Sequence, residues 1–122
     1  MVRNFTHSLG FYIRLILVDN MSRELDLRTL ELCRTDIERI GREVLERERP
    51  KVARELRDLC RLLCSRVITS HEFSDIIEPL DQIADAATLI EQQRKSSDAC
   101  HELRLALQSL AMTLIDYRAG VR

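Results

Sequence analysis

The chain has 122 residues, of which 45% are hydrophobic and 32% are charged, whereas it contains only 3 glycines and 2 prolines. This composition is typical of one helix-rich globular domain that buries a single core. The formal net charge of −1, without a basic patch interleaved with aromatic residues, argues against nucleic-acid binding. We therefore treat residues 1–122 as one domain, with an N-terminal extension helix over residues 1–25 and a bundle over residues 26–118.

The N-terminal segment contains a mostly apolar run from Leu9 to Val18, which follows Arg3. Arg14 interrupts this run, and no small-residue cleavage site follows it. The run is also shorter than the roughly 20 residues that a helix needs to span a bilayer. These features predict a buried first helix and no membrane association.

Apolar residues recur at steps of three and four through the next two segments, which predicts two amphipathic helices. The first begins at Asp26, a favourable cap residue, carries an apolar stripe from Leu27 to Val44, and ends in the run from Glu46 to Pro50. The second follows Pro50 and carries a stripe from Val52 to Val67.

The second half of the chain is divided by proline, serine and glycine. Thr69 followed by Glu72 has the spacing of a capping box, which predicts a short helix that ends before Pro79. A further helix is expected from near Leu80, and a last one from a turn at residues 96–97 to a stop at Gly120. The predicted fold class is all-α: a compact bundle of five or six antiparallel helices, several of them short.

The four cysteines are predicted to be reduced thiols in the core, which suggests a cytoplasmic protein. Cys60 and Cys64 lie one helical turn apart, and Cys33 and Cys100 fall within apolar stripes. A zinc site that recruits His71 or His101 is the alternative, but no C-x2-C spacing supports it. We expect no metal and no cofactor.

Charge is unevenly distributed along the chain. Residues 34–66 contain ten basic and seven acidic side chains, whereas residues 72–98 contain two basic and seven acidic ones. A small domain built in this way is expected to carry surfaces of opposite sign, and such surfaces attract copies of the same chain or related modules. This distribution predicts assembly rather than catalysis.

The residues from Leu56 to Leu110 resemble a caspase recruitment domain of the death-fold superfamily. The likeness lies in the run LRDLCRLLCSRVITSHEFSDIIEP and in DQIADAATLIEQQRKSSDACHELRLALQSL, where RVIT is similar to the family's gvlT pattern. The family's turn between its fourth and fifth helices usually contains glycine, whereas this chain has RKSS there.

This resemblance implies a death-fold-like bundle and a non-enzymatic adaptor in apoptosis or immune signalling. Modules of this family bind one another through a basic patch on one side and an acidic patch on the other, and such head-to-tail contacts build stacks. The implied partner is a related helical domain or a second copy, so we expect a homo-oligomer. The implied basic interface comprises Arg39, Arg42, Arg54, Arg57 and Arg61. The implied acidic interface comprises Glu72, Asp75, Glu78, Asp81 and Asp85.

Two other functions stay open at this point. Arg66 and His71 have the R-x4-H spacing of HEPN ribonucleases, in which the pair sits at a helix start and acts on phosphate and the ribose hydroxyl. Alternatively, the chain is a small helical chaperone or regulator that forms a dimer or binds a partner helix. The groove for that helix would be lined by Leu9, Phe11, Ile13 and Leu17.

Overall fold

The computed structural model describes residues 25–47, 49–93 and 97–121. These residues form four α-helices and one short 3-10 turn, and no strand occurs among them. In chain order the elements are α1 (Leu27–Glu46), α2 (Pro50–Ser70), the 3-10 turn (Ser74–Ile76), α3 (Ile77–Gln93) and α4 (Ser97–Arg118). The all-α prediction is confirmed for this part of the chain. The N-terminal extension helix, with Leu9, Phe11, Ile13 and Leu17, lies outside the described residues.

The first two helices begin where the sequence predicts. The Asp26 carboxylate accepts a hydrogen bond of 2.7 Å from the Thr29 backbone N–H, which satisfies one of the unpaired donors of the first turn of α1. Pro50 is the first residue of α2, where its fixed φ suits the helix and its missing N–H is not needed. Arg47 adopts an extended conformation that ends α1.

The predicted capping box at Thr69 is wrong. Thr69 belongs to α2, and its hydroxyl donates to the Ser65 carbonyl at 2.9 Å rather than capping a new helix. The helix ends at His71, which takes a left-handed conformation with φ of 59°. The predicted short helix is reduced to the 3-10 turn, which leads directly into α3. The described residues therefore form four α-helices, whereas the predicted number of helices is five or six.

Proline does not break α3. Pro79 lies in the first turn of this helix, where no backbone N–H has an intrahelical partner to lose. At the end of α4, Gly120 has φ of 75°. Its backbone N–H donates to the Tyr117 carbonyl, and the Val121 N–H donates to the Asp116 carbonyl. These two bonds form a Schellman motif, so the predicted stop of α4 at Gly120 is confirmed.

The four helices are antiparallel and pack in a ring in which each contacts its neighbours in sequence, and α4 closes the ring against α1. The predicted apolar stripes face the inside. The side chains that are most completely buried are Leu30, Ile37, Leu56, Leu59, Leu63, Ile76, Leu80, Ile83, Leu103 and Leu110. No helix within the described ranges is both long and apolar enough to cross a membrane.

Candidate interaction surfaces

Two arginines of the predicted basic interface bind one carboxylate within the molecule. The Arg54 Nε donates to Glu91 Oε2 at 2.5 Å, and the Arg57 Nη1 donates to Glu91 Oε1 at 2.8 Å. The Glu91 side chain is only 13% exposed, and the Arg57 side chain is 24% exposed. The hydrogen bond and the charge of Glu91 raise the pKa of Arg54. These pairs form a charged seam between α2 and α3.

The seam also joins the two predicted interfaces to each other. Arg61 lies 3.6 Å from Asp85, so a basic candidate on α2 faces an acidic candidate on α3. Because α2 and α3 are antiparallel, arginines in the middle of α2 lie beside carboxylates in the later part of α3. The three α2 arginines are thus already placed against negative charge. Whether they also contact a partner stays a prediction.

The other two basic candidates lie on α1. Arg39 lies 3.7 Å from Asp36, and burial raises the pKa of that carboxyl, an effect that the Arg39 charge opposes. Arg42 is exposed and lies on the flank of α1 that faces α4.

The remaining acidic candidates lie at the end of the bundle where α2 stops and α3 starts. Glu72, Asp75 and Glu78 are exposed there. The Tyr117 hydroxyl donates to Asp75 at 3.2 Å, which ties the 3-10 turn to the end of α4. Asp81 is exposed as well, and the Cys64 thiol lies 3.6 Å from its carboxylate. Antiparallel packing therefore separates these acids from Arg42, which lies towards the opposite end.

All four cysteines are buried and unpaired with one another. Burial raises the pKa of the Cys33 thiol to about 12 and that of Cys64 to about 11. Thiols of this kind are poor nucleophiles near neutral pH and behave as small apolar side chains. No group of metal-binding side chains occurs in the part of the chain that the structure describes.

The ribonuclease-like pair lies at a helix end rather than at a helix start. Arg66 is buried in the last two turns of α2, whereas His71 is exposed and forms the C-cap of the same helix. The spacing thus places one member of the pair in the interior and the other in solvent. The ribonuclease hypothesis stays a prediction, which RNA cleavage by wild-type protein and His71→Ala would test.

An open groove with a volume of about 550 Å³ lies between α1 and α4. Leu45 of α1 and Leu107 and Ala111 of α4 supply its apolar surface. The two helices approach closely here, because a Cβ placed on Gly41 would lie 2.9 Å from the end of the Leu107 side chain. The absence of a side chain at Gly41 therefore lets Leu107 lie directly against α1 at the base of the groove.

The rim of the groove is mainly basic. Among the described residues, the polar side chains that line the groove are those of Arg42 of α1, of His101, Arg104 and Gln108 of α4, and of one carboxylate, Glu38. Arg34 binds Glu38 at 2.8 Å, which neutralises that carboxylate. Arg42 and Arg104 take part in no ion pair with other described residues.

An apolar stripe continues from the groove along the outer face of α4. Leu105, Met112 and Ile115 are 49%, 57% and 53% exposed. Their spacing of seven and then three residues places them on one face of the helix. Leu105 also lines the groove, so the stripe begins at the groove, although Gln108 lies between Leu105 and Met112 along the helix. We call the groove together with these three side chains the α1–α4 surface.

Sequence reasoning missed the α1–α4 surface, although the sequence holds a sign of it. The predicted stripe of the last helix ran from Leu103 to Tyr117, and these side chains do face the interior or its edge. A helix on the surface of a bundle needs one apolar stripe to pack on the core. This helix has further apolar residues outside that stripe, namely Leu105, Met112 and Ile115. An unused apolar face of this kind is typical of a binding surface.

No protein-family model, curated protein or solved structure matches this chain.

Proposed function

We propose that this chain is a non-enzymatic protein-interaction module that binds a helix of a partner protein on the α1–α4 surface. The observation that carries this proposal is that the groove borders three exposed apolar side chains of α4, Leu105, Met112 and Ile115. Single exposed apolar side chains are ordinary, whereas a contiguous apolar patch that borders a groove marks a binding site.

The α4 side of the groove is long enough for a partner helix. The α4 residues that line the groove run from His101 to Ala111, which corresponds to about 15 Å along the helix axis. A partner helix of three to four turns, roughly 11 to 14 residues, covers that length. Such a helix would insert apolar residues at helical spacing and leave its polar face in solvent.

Selection of helical peptides from a random display library tests the proposal. We expect the wild-type protein to enrich peptides with apolar residues at helical spacing, and we expect Met112→Lys to abolish their binding. Leu32→Lys is the matched control, because Leu32 is 50% exposed on α1 but does not line the groove. Both variants should keep the wild-type helical content in circular dichroism. Enriched peptides that bind Met112→Lys as tightly as wild type would overturn the proposal.

A second candidate function is end-to-end self-association through charge, as the caspase-recruitment-domain resemblance implies. It is favoured by the position of Glu72 and Glu78 at one end of the bundle and of Arg42 towards the other. We expect light scattering to show association at low salt that disappears as salt screens the charges. Glu72→Lys combined with Glu78→Lys should abolish it. A scattering intensity that is independent of both salt and the substitutions would eliminate this candidate.

A further inference from the structure

The charges around the α1–α4 surface restrict which helices fit it. Arg42, Arg104 and His101 line the groove, and Glu38, the one carboxylate among the described lining residues, is already bound by Arg34. The rim thus offers guanidinium groups whose charge no other described residue neutralises through an ion pair. Guanidinium groups bind carboxylates with two parallel hydrogen bonds, which adds orientation to the attraction.

We propose that the partner segment is an acidic amphipathic helix. Its apolar face lies on Leu105, Leu107 and Ala111 of α4, and carboxylates on its flanks bind Arg42 on one side of the groove and Arg104 on the other. This inference rests on the proposed function and adds the chemical class of the partner. Two arginines on opposite helices also fix the rotation of the bound helix, because its carboxylates must flank its apolar stripe.

A nucleic acid also carries negative charge, but the apolar lining of the groove favours an acidic protein helix over it. Leu45, Leu105, Leu107 and Ala111 would lie against a sugar-phosphate backbone without any polar partner. Among the described residues that line the groove, none has a phenylalanine, tyrosine or tryptophan ring that could stack on a base. A groove with apolar residues between basic side chains is complementary to a helix that has a leucine stripe flanked by glutamates.

A matched pair of synthetic peptides tests the inference with the 122-residue chain. Both peptides have about 14 residues and the same leucine stripe; one has glutamates flanking the stripe, and the other has lysines at those positions. Fluorescence anisotropy measures the dissociation constant of each. We expect the glutamate peptide to bind at least about tenfold more tightly than the lysine peptide at low salt, with the difference shrinking as salt is added.

Charge reversal of the rim makes the test specific. In the double variant Arg42→Glu and Arg104→Glu, the preference should invert, so that the lysine peptide binds more tightly. The control is Arg28→Glu, which changes the charge of an exposed α1 residue that does not line the groove and should leave both dissociation constants unchanged.

The outcomes separate the two proposals. Equal binding of both peptides to wild type, with loss of both in Met112→Lys, overturns the acidic partner and leaves the helix-binding function intact. Absence of binding by either peptide at concentrations up to about 1 mM overturns both proposals. Unchanged preference in the double rim variant also overturns the acidic partner, because the arginines would then not be its cause.

Discussion

Neutralising Glu91 should destabilise the bundle, because this carboxylate holds α2 and α3 together through two arginines. In Glu91→Gln the size and shape of the side chain are kept, but the carboxylate charge that faces Arg57 at 2.8 Å is lost. A hydrogen bond to a charged group contributes about 1.5 to 3 kcal/mol and one between neutral groups about 0.5 to 1.5 kcal/mol, so the loss of one partner's charge costs on the order of 1 kcal/mol. Because the partners are 13% and 24% exposed, we take the lower end and expect a loss of about 1 kcal/mol.

Asp85→Asn is the matched control for this prediction. It is also an isosteric neutralisation on α3, but Asp85 lies 3.6 Å from Arg61 and its side chain is 74% exposed. Solvent screens such a pair, so the free energy of unfolding should change by less than about 0.5 kcal/mol. Urea unfolding followed by circular dichroism measures both values, and a loss of about 1 kcal/mol corresponds to a melting temperature lowered by roughly 3 to 5 °C.

A double-mutant cycle identifies the cause. In an Arg57→Gln background, the further effect of Glu91→Gln should be smaller than in wild type, because only Arg54 then remains to bind the carboxylate. If Glu91→Gln and Asp85→Asn lower stability equally, or if the effect of Glu91→Gln is the same in both backgrounds, the seam does not stabilise the fold. The α2 arginines would then be available as an interface, as the sequence resemblance implies.

Three further predictions concern the helix ends and the thiols. Asp26→Ala should lower the free energy of unfolding by about 1 kcal/mol in urea titrations, since the Thr29 N–H loses its acceptor. Asp26→Asn should have nearly the wild-type free energy of unfolding, because asparagine also caps helices. His71→Gly should raise the melting temperature, because glycine adopts the left-handed C-cap conformation without the cost that histidine bears; an unchanged or lower value would contradict this. Burial raises the pKa of Cys33 to about 12 and of Cys64 to about 11, so the folded state binds thiol protons more tightly than the unfolded state does. Stability from this source should be complete below about pH 9, the ordinary thiol value, and should be lost as pH rises towards 11 to 12; iodoacetamide should label these thiols at pH 8 only after urea is added.

Features set by neighbouring residues were predictable from the sequence. The cap at Asp26, the start of a helix at Pro50 and the stop at Gly120 each depend on one residue and its immediate neighbours, and all three are confirmed. Helical spacing likewise identified the buried stripes. Thr69 shows the limit of such rules, because its hydroxyl had two possible partners and the continuing apolar stripe to Val67 favoured the one inside α2.

The pairing of charges could not be predicted in the same way. Arg54 and Glu91 are 37 residues apart, and their contact depends on the antiparallel order and on the rotation of α2 and α3 about their axes. Counting charges along the chain shows neither the order of the helices nor their rotation. The α1–α4 surface has the same origin: Leu105 is an ordinary apolar residue in the sequence, and only the packing of α4 shows which of its faces α1 leaves uncovered.

The ion pair between Arg118 and Glu31 joins side chains that are 87 positions apart and lie close to the two ends of the described bundle. The polypeptide therefore enters α1 and leaves α4 at the same end of the ring. Chain entry and exit that lie side by side are the arrangement in which circular permutation is tolerated, with new ends between α2 and α3 or between α3 and α4. For the same reason, a host protein could carry this bundle inside one of its surface loops without separating the two sides of that loop.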